Sequence, residues 1–165
     1  FSKKLCGKYR PGHFRGVLDV VNRLLEILKP KYMILGEKDF QQLFLIRKHI
    51  IKNNIKTSII AHKTVRNQNF IPYSSRNFNL SKYDKILASK VFKTLRNEKF
   101  LIKRKKIKKI NLLSVKNKIL KMGIKKVDYI EALNLKSLKK AKKFNENFNI
   151  FSAFYIGNVR LIDNF

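Results

Sequence analysis

The sequence has little cysteine, few acidic residues and no long uncharged apolar segment. Its single cysteine, Cys6, excludes an intrachain disulfide bond. Lys or Arg interrupts every apolar run well before the roughly 20 residues that a membrane-spanning helix requires. We also recognise no secretory leader. These absences predict a cytoplasmic protein that does not enter a membrane.

The shortage of acidic residues leaves the chain strongly basic. There are 39 Lys and Arg against 10 Asp and Glu, which gives a formal net charge of +29. Such a charge by itself indicates a polyanionic partner such as nucleic acid. Most of the excess is Lys, accompanied by many Ile and Asn, and AT-rich codons favour all three. We therefore favour coding composition as the origin of the charge and do not expect nucleic acid as the partner.

The first part of the chain alternates helices and strands. Apolar residues make up 44% of the sequence, enough to offset the entropy lost on folding, so we expect a globular protein. Their spacing predicts a helix over 16–29 ended by Pro30, a strand over 32–35 buried on both faces, a helix over 39–53 and a strand over 55–61. This order predicts a parallel α/β layer up to residue 64.

The remaining chain is organised differently. Ser81 is placed to cap a helix that runs to Asn97. The segments predicted after it are a basic run over 100–109, a helix over 111–122 ending at Gly123, and strands over 126–132, 148–155 and 159–162. We expect a second, α+β lobe that begins near Arg66.

The segment Gly36–Asp39 follows the first predicted strand and leads into a helix. Ligands of parallel sheets bind beyond the carboxyl ends of the strands, and the first-turn amides of a helix attract phosphates. Lys38 is therefore well placed to meet an anion. Taken alone, however, a lysine between Glu37 and Asp39 is more typical of a solvated surface charge.

Three clusters resemble the signatures of the pantothenate synthetase family, in that family's order and with similar spacing. They are Arg10-Pro11-Gly12-His13-Phe14-Arg15-Gly16-Val17, Gly36-Glu37-Lys38-Asp39-Phe40-Gln41-Gln42 and Ser74-Ser75-Arg76-Asn77. Weaker echoes follow at 128–131 and 160–164. Each fragment alone is unconvincing, but five in register over nearly the whole chain identify a member of this family.

The resemblance implies the fold class and the activity. The fold would be α/β, with the tail of a Rossmann-like nucleotidyltransferase sheet over 1–65, in the ATP-binding domain, followed by a small α+β lid domain over 66–165. The enzyme would be a cytoplasmic, AMP-forming ligase, commonly a homodimer, that uses ATP and Mg²⁺. Pantoate would attack the α-phosphate of ATP to give pantoyl adenylate and pyrophosphate. The amine of β-alanine would then displace AMP, giving pantothenate.

The resemblance also implies residue roles at the nucleotide. The ATP site would be lined by Gly36, Glu37, Lys38, Asp39, Val65, Tyr73, Ser74, Ser75 and Arg76. Lys38, Arg76 and the two serines would act in catalysis, because their donors offset charge as pyrophosphate leaves. Val65 would contact adenine through its backbone. Outside the motif, the serine loop is an ordinary ST-turn with a surface arginine.

Further roles concern pantoate and pyrophosphate. Gln42 would hydrogen-bond pantoate through its amide, although in an unknown family it would be an exposed helix glutamine. Arg10 is placed to help hold pyrophosphate, and His13 is a weaker candidate in the same segment. No residue of this chain is expected to be a dedicated metal ligand.

Two features depart from the family pattern. The segment 68–73 replaces an Asp-Gly turn, so that Phe70 stands where a glycine would reach positive φ and Pro72 fixes φ just before Tyr73 and Ser74. We therefore expect the hairpin to be built differently. The family's His-x-Gly-His motif is absent and the first residue is Phe. We expect the chain to be a C-terminal fragment of the enzyme that is inactive alone.

Two rival interpretations stay open. A basic nucleic-acid-binding module would use the runs Lys103–Lys109 and Lys136–Lys143 as phosphate contacts. A degenerate, inactive paralogue would explain the altered segment around Phe70. Salt-dependent binding to generic RNA or DNA distinguishes the first, and pantoate-dependent exchange of pyrophosphate into ATP excludes the second.

Overall fold

The computed structural model describes residues 4–165, and the chain divides into two compact units. The first unit ends at Thr64 and the second is Val65–Phe165. Helices combine with one parallel and one antiparallel sheet, which confirms the predicted α/β class. No helix within residues 4–165 has the length and apolar character needed to cross a membrane. The interpretation of the units as part of an ATP-binding domain and a lid domain stays a prediction.

The first unit follows the predicted order of helices and strands. Its elements are α1 (Cys6–Tyr9), α2 (His13–Leu28), β1 (Tyr32–Gly36), a 3₁₀ turn (Glu37–Asp39), α3 (Phe40–Lys52) and β2 (Ser58–His62). The two strands are parallel, with Ile34 opposite Ile60. Helix α2 begins earlier than predicted, directly after Gly12 at φ 76°. It ends just before Lys29, which adopts the left-handed conformation ahead of Pro30.

Strand β1 is buried on one face only, so the prediction of burial on both faces is wrong for the described chain. Both α2 and α3 pack on the same face of the sheet, around Leu25, Ile46, Ile50, Met33, Leu35 and Ile59. Tyr32 and Ile34 alternate with the packed residues and are 54% and 69% exposed. Alternation along a strand places these side chains on the opposite face, which residues 4–64 leave uncovered.

The second unit is built from two helices and an antiparallel sheet. Its elements are a 3₁₀ turn (Ser75–Asn79), α4 (Lys82–Arg104), α5 (Leu113–Lys121), β3 (Lys126–Asn134), β4 (Phe148–Ile156) and β5 (Val159–Asn164). Strand β4 lies between β3 and β5. Ser81 caps α4 as predicted, in a reciprocal capping box with Asp84. The helix continues past the predicted end at Asn97 because its apolar face extends to Ile102, which is buried.

The core of the second unit lies between α4, α5 and the sheet. Phe92 of α4 meets Phe154 of β4 edge-on, with ring centroids 5.3 Å apart. Ile119 of α5 is fully buried in the same cluster. Each such side chain contributes about 1.5–3 kcal/mol to stability relative to exposure. This packing fixes β4 against α4.

Candidate functional site

Lys38 lies at the carboxyl end of the parallel sheet. Strand β1 ends at Gly36, directly opposite His62, the last residue of β2. The chain then forms the 3₁₀ turn Glu37–Asp39 and enters α3 at Phe40. The first amides of a helix lack intrahelical partners and carry partial positive charge. An ammonium beside such a helix start is an arrangement suited to a phosphate group.

The side chain of Lys38 is only 15% exposed. Its Nζ lies 3.4 Å from Oδ2 of Asp39, a carboxylate that is half exposed. A pair with one solvated partner contributes on the order of 0–1 kcal/mol to stability, so the contact does not explain the placement of the lysine. Lys38 is therefore not a freely solvated surface charge, and its role toward ATP stays a prediction.

The two glutamines at the start of α3 have different surroundings. Gln41 is buried; its Oε1 accepts from the backbone amide of Cys6 at 3.1 Å and its Nε2 donates to the Lys4 carbonyl at 2.8 Å. Gln42 is half-buried. Gln41 therefore attaches the segment before α1 to α3, and Gln42 stays the candidate for pantoate.

Arg10 and His13 contact each other, as their shared motif indicates. An Arg10 guanidinium nitrogen lies 2.9 Å from Nε2 of His13. Because a guanidinium only donates, Nε2 of His13 is the acceptor in this contact. Lys8 and Arg15 line the same shallow depression as Arg10. The depression is therefore cationic and suited to an anion.

A short hairpin leads into the serine loop of the second unit. The Tyr73 amide donates to the Val65 carbonyl at 3.1 Å, and Arg66 forms an isolated antiparallel bridge with Pro72. At the tip, Oδ1 of Asn67 accepts from two backbone amides, those of residues 69 and 71, each at 3.0 Å. A carbonyl has two lone pairs, so that of Val65 can still accept a further hydrogen bond.

Phe70 occupies the left-handed region, with φ 68°. Phe70 therefore adopts the conformation expected of a glycine at this turn although it carries a Cβ, and the expectation of a differently built hairpin stays a prediction. The Phe70 ring compensates by its contacts: it stacks on Phe165 with centroids 5.9 Å apart, and the guanidinium carbons of Arg66 and Arg96 lie 4.5 and 4.7 Å from its centroid. These cation–π and stacking contacts offset the cost of the conformation.

The serine loop forms a capped turn. Oγ of Ser74 accepts from the Arg76 amide at 3.3 Å and caps the 3₁₀ turn that begins at Ser75. The side-chain amide of Asn77 donates to the Pro72 carbonyl at 2.8 Å. Ser75 and Arg76 are exposed and Ser74 is half-buried. The loop therefore contains the ordinary ST-turn expected outside the family motif. Its residues carry two hydroxyls and a guanidinium.

Two largely buried ion pairs involve residues of the weak motif echoes at 128–131 and 160–164. Arg160 donates from Nε to Oδ2 of Asp128 at 2.7 Å, which ties β5 to β3 across β4. Arg66 donates to both carboxylate oxygens of Asp163, at 2.5 and 3.0 Å. Arg66 was not among the residues singled out from the sequence. The only sign of this pair in the sequence was an arginine shortly before the serine motif and an aspartate, Asp163, within the segment 160–164.

Two lysines at and just before the first basic run serve the fold. Nζ of Lys103 donates to the Glu146 carbonyl at 2.6 Å, and Nζ of Lys99 donates to Oδ1 of Asn149 at 2.6 Å. Both ammonium groups lie over the Phe148 ring. Burial lowers the pKa of the Lys99 ammonium, and the charge of Lys103 lowers it further. These contacts hold the β3–β4 connection against α4.

The predicted residues are grouped within each unit. The first unit holds Gly36, Glu37, Lys38, Asp39 and Gln42, and also the Arg10–His13 pair; the second holds Val65, Tyr73, Ser74, Ser75 and Arg76. The parallel sheet of the first unit ends at a lysine-bearing helix start, and the turn of the second unit bears serines and one arginine; each feature is suited to a phosphorylated ligand of an α/β protein. Comparison with known proteins identifies the family. The family model of pantoate-beta-alanine ligase matches residues 1–165, and the chain belongs to this family.

Individual relatives agree with the family. The pantothenate synthetase of Francisella tularensis subsp. novicida (strain U112) is 44% identical over 161 residues, which are 98% of this chain and 53% of the relative. The crystal structure of pantothenate synthetase from Thermus thermophilus matches with a TM-score of 0.89 at 26% identity, over 99% of this chain and 59% of that one. The chain spans about half the length of the curated relatives it matches.

A further solved relative contains ligands. The pantoate-beta-alanine ligase from Francisella tularensis, complexed with beta-gamma ATP and beta-alanine, matches with a TM-score of 0.79 at 43% identity. The match covers 99% of this chain and 54% of that chain. The resemblance deduced from the three motifs is therefore confirmed at the level of the family.

Proposed function

We propose that this chain forms the C-terminal part of a ligase that uses ATP to condense pantoate with β-alanine into pantothenate. The observation that carries the proposal is a family match over residues 1–165 in a chain whose Lys38 lies, largely buried, where a parallel sheet meets a helix start. The related enzyme complexed with beta-gamma ATP and beta-alanine supports these two ligands.

The first step is the formation of pantoyl adenylate. A carboxylate oxygen of pantoate attacks the α-phosphorus of ATP, and the bond to the bridging oxygen breaks as pyrophosphate leaves. Negative charge grows on the leaving group, and Lys38 and Arg76 are the cationic donors that stabilise it. The hydroxyls of Ser74 and Ser75 add donors to the phosphate oxygens. Glu37, Asp39 and the backbone at Gly36 line the nucleotide.

The second step forms the amide bond. The β-alanine amine attacks the acyl carbon of the adenylate, and AMP leaves. The protein contributes mainly by holding the reactants in position, which converts a bimolecular step into an effectively unimolecular one. Gln42 orients pantoate through its amide, and the backbones of Val65 and Tyr73 lie against the adenosine. Arg10, held by His13 at 2.9 Å, assists with pyrophosphate.

Magnesium enters this proposal with the nucleotide. Within residues 4–165 no three His, Cys, Asp or Glu side chains converge as a metal site would require. Mg²⁺ is typically bound by substrate phosphates and one or two carboxylates and not by a dedicated protein cage, and the carboxylates among the proposed ATP-site residues are those of Glu37 and Asp39. The ion would neutralise phosphate charge.

The remaining parts of the proposal concern the whole protein. Because the chain matches about half of its relatives' length and contains no His-x-Gly-His motif, we propose that it is a fragment that does not turn over alone. The complete enzyme would be a cytoplasmic homodimer, as the family resemblance implies. The nucleic-acid alternative is weakened because Lys103, in one of the two basic runs, is engaged with Glu146 and Phe148.

Isotope exchange tests the ligase assignment. In the complete gene product that carries this chain, we expect pantoate-dependent exchange of labelled pyrophosphate into ATP. Lys38→Ala should lower the exchange rate by about a hundredfold, the scale of losing one charge-stabilising donor. Lys52→Ala, which removes the same charge at the far end of α3, is the matched control and should retain exchange. Exchange that does not require pantoate, or a Lys38→Ala variant with the control's rate, would overturn the proposal.

A further inference from the structure

The Arg66–Asp163 ion pair joins two segments that are far apart in sequence. Arg66 begins the hairpin that precedes the serine loop, and Asp163 lies near the end of β5. The guanidinium donates to both carboxylate oxygens, and the Asp163 side chain is fully buried, at 0% exposure. Forked pairing of this kind fixes orientation as well as distance.

The same guanidinium also holds the hairpin itself. It donates to the Phe70 carbonyl at 3.2 Å, and its central carbon lies 4.5 Å from the Phe70 ring centroid and 4.7 Å from that of Phe165. Arg96 of α4 contacts the Phe70 ring as well, at 4.7 Å. Arg66 thus contacts Phe70 at the hairpin tip, Asp163 in β5 and Phe165, which follows β5.

The second arm of the hairpin runs directly into the serine loop. The Tyr73 amide is bonded to the Val65 carbonyl beside Arg66, and Asn77 returns its side-chain amide to Pro72. A shift of the hairpin relative to β5 would therefore move Ser74, Ser75 and Arg76 with it. Misplacement of binding groups by about 1 Å is enough to lose much of their effect.

We propose that Arg66 is a positioning residue, which holds the Ser74–Arg76 turn in register with β5 so that its donors meet the phosphate chain of ATP. The inference rests on the proposed function, because it assigns what orients the same phosphate-binding turn. Arg66 does not itself touch the nucleotide in this proposal. This role requires the planar guanidinium, whose two nitrogens donate to both carboxylate oxygens of Asp163. A lysine keeps the charge but cannot form this two-point contact.

The chain offers a closely matched control. The Arg160–Asp128 pair has the same residue types, also involves β5, and has side-chain exposures of 13% and 1%, against 15% and 0% for Arg66 and Asp163. It joins β5 to β3 within the sheet, whereas the Arg66 pair joins β5 to the hairpin. The variants are Arg66→Lys and Asp163→Asn, with Arg160→Lys and Asp128→Asn as controls.

Two measurements separate positioning from general stability. The first is hydrogen exchange at the Tyr73 and Asn77 amides, compared with β4 amides that report global unfolding. The second is the dissociation constant for ATP compared with that for AMP, which lacks the β- and γ-phosphates. We expect Arg66→Lys to speed exchange at Tyr73 and Asn77 and to weaken ATP binding by about tenfold, with AMP affinity unchanged. Asp163→Asn should do the same if it folds.

The outcomes are distinguishable. If Arg160→Lys changes exchange at Tyr73 and ATP affinity as much as Arg66→Lys does, the Arg66 pair is only structural and the inference is overturned. It is also overturned if Arg66→Lys leaves ATP affinity unchanged while Arg76→Ala weakens it, although the ATP site then stands. If Arg76→Ala itself binds ATP with wild-type affinity, the proposed role of the turn fails and the positioning role fails with it.

Discussion

The side-chain oxygen of Gln41 accepts a hydrogen bond from the Cys6 amide at 3.1 Å, across 35 positions of sequence. The same side chain donates to the Lys4 carbonyl, so both of its polar atoms bind the chain at and just before the start of α1. Its neighbour Gln42 is half-buried at the same end of α3. Two adjacent residues of one type therefore have different surroundings, and their substitution should have separable effects.

We expect Gln41→Ala to lower the free energy of unfolding by about 1–3 kcal/mol, because it removes the buried acceptor of the Cys6 amide. Gln42→Ala should change stability by less than about 0.5 kcal/mol and should instead raise the KM for pantoate in the complete enzyme. Urea unfolding and steady-state kinetics measure the two effects. A Gln42→Ala variant with unchanged pantoate KM would contradict the assigned role.

Phe70 provides a test of conformational strain at the hairpin. Its φ of 68° is costly for any residue with a Cβ, by roughly 1–2 kcal/mol, whereas glycine adopts it freely. Both Phe70→Ala and Phe70→Gly lose the ring contacts with Arg66, Arg96 and Phe165. We expect the glycine variant to be the more stable of the two by about 1 kcal/mol, reversing the usual order. Thermal or urea unfolding of the two variants measures this difference in stability. An alanine variant at least as stable as the glycine variant would show that the backbone at residue 70 is not strained.

We expect Glu146 to make the stability of the fold sensitive to acid. Its pKa is lowered from the usual 4.5, first because the Lys142 and Lys143 amides donate to its carboxylate, at 2.7 and 3.1 Å. A carboxyl whose pKa is lower in the folded state binds fewer protons there than in the unfolded chain. Its stabilising contribution is therefore present above pH 4.5 and is lost as the pH falls through the folded pKa.

The corresponding variant is Glu146→Gln, which cannot titrate. Below about pH 4.5 the stability of the wild type should fall more steeply than that of the variant, so the two curves converge on acidification. Urea unfolding at a series of pH values measures the difference in free energy of unfolding between the wild type and the variant. The titration of other groups affects both proteins and cancels in this difference. Parallel curves would show that the carboxylate does not carry this sensitivity.

Local patterning was sufficient to predict most elements, and boundaries failed for identifiable reasons. The Ser81 cap and the order helix, strand, helix, strand were readable because capping and hydrophobic periodicity are local signals. The predicted end of α4 at Asn97 is too early, because the basic run from residue 100 obscures the apolar face that continues to Ile102. The burial of β1 was overestimated because sequence shows that a strand is apolar, not which layers cover it.

The candidate site residues could be proposed from the sequence where a motif is contiguous. Lys38, Gln42 and Ser74–Arg76 lie within such short signatures, and their roles stay predictions. Arg66 was not found, because its partner Asp163 is 97 positions away and only the folded sheet brings them together. The left-handed conformation of Phe70 was likewise hidden, because tertiary contacts with Arg66, Arg96 and Phe165 override the intrinsic preference of a phenylalanine.

We propose that Lys38 and Arg76 each bind the phosphate chain of ATP in the complete enzyme. Calorimetric titration of the protein with ATP and with AMP tests it most directly, using Lys38→Ala, Arg76→Ala and the controls Lys52→Ala and Lys93→Ala. Lys93 is an exposed lysine of α4, outside the proposed site. We expect each of the first two variants to weaken ATP binding by at least about tenfold and to leave AMP binding unchanged, while the controls bind both nucleotides normally. If Lys38→Ala and Arg76→Ala bind ATP as tightly as the controls do, the claim is contradicted.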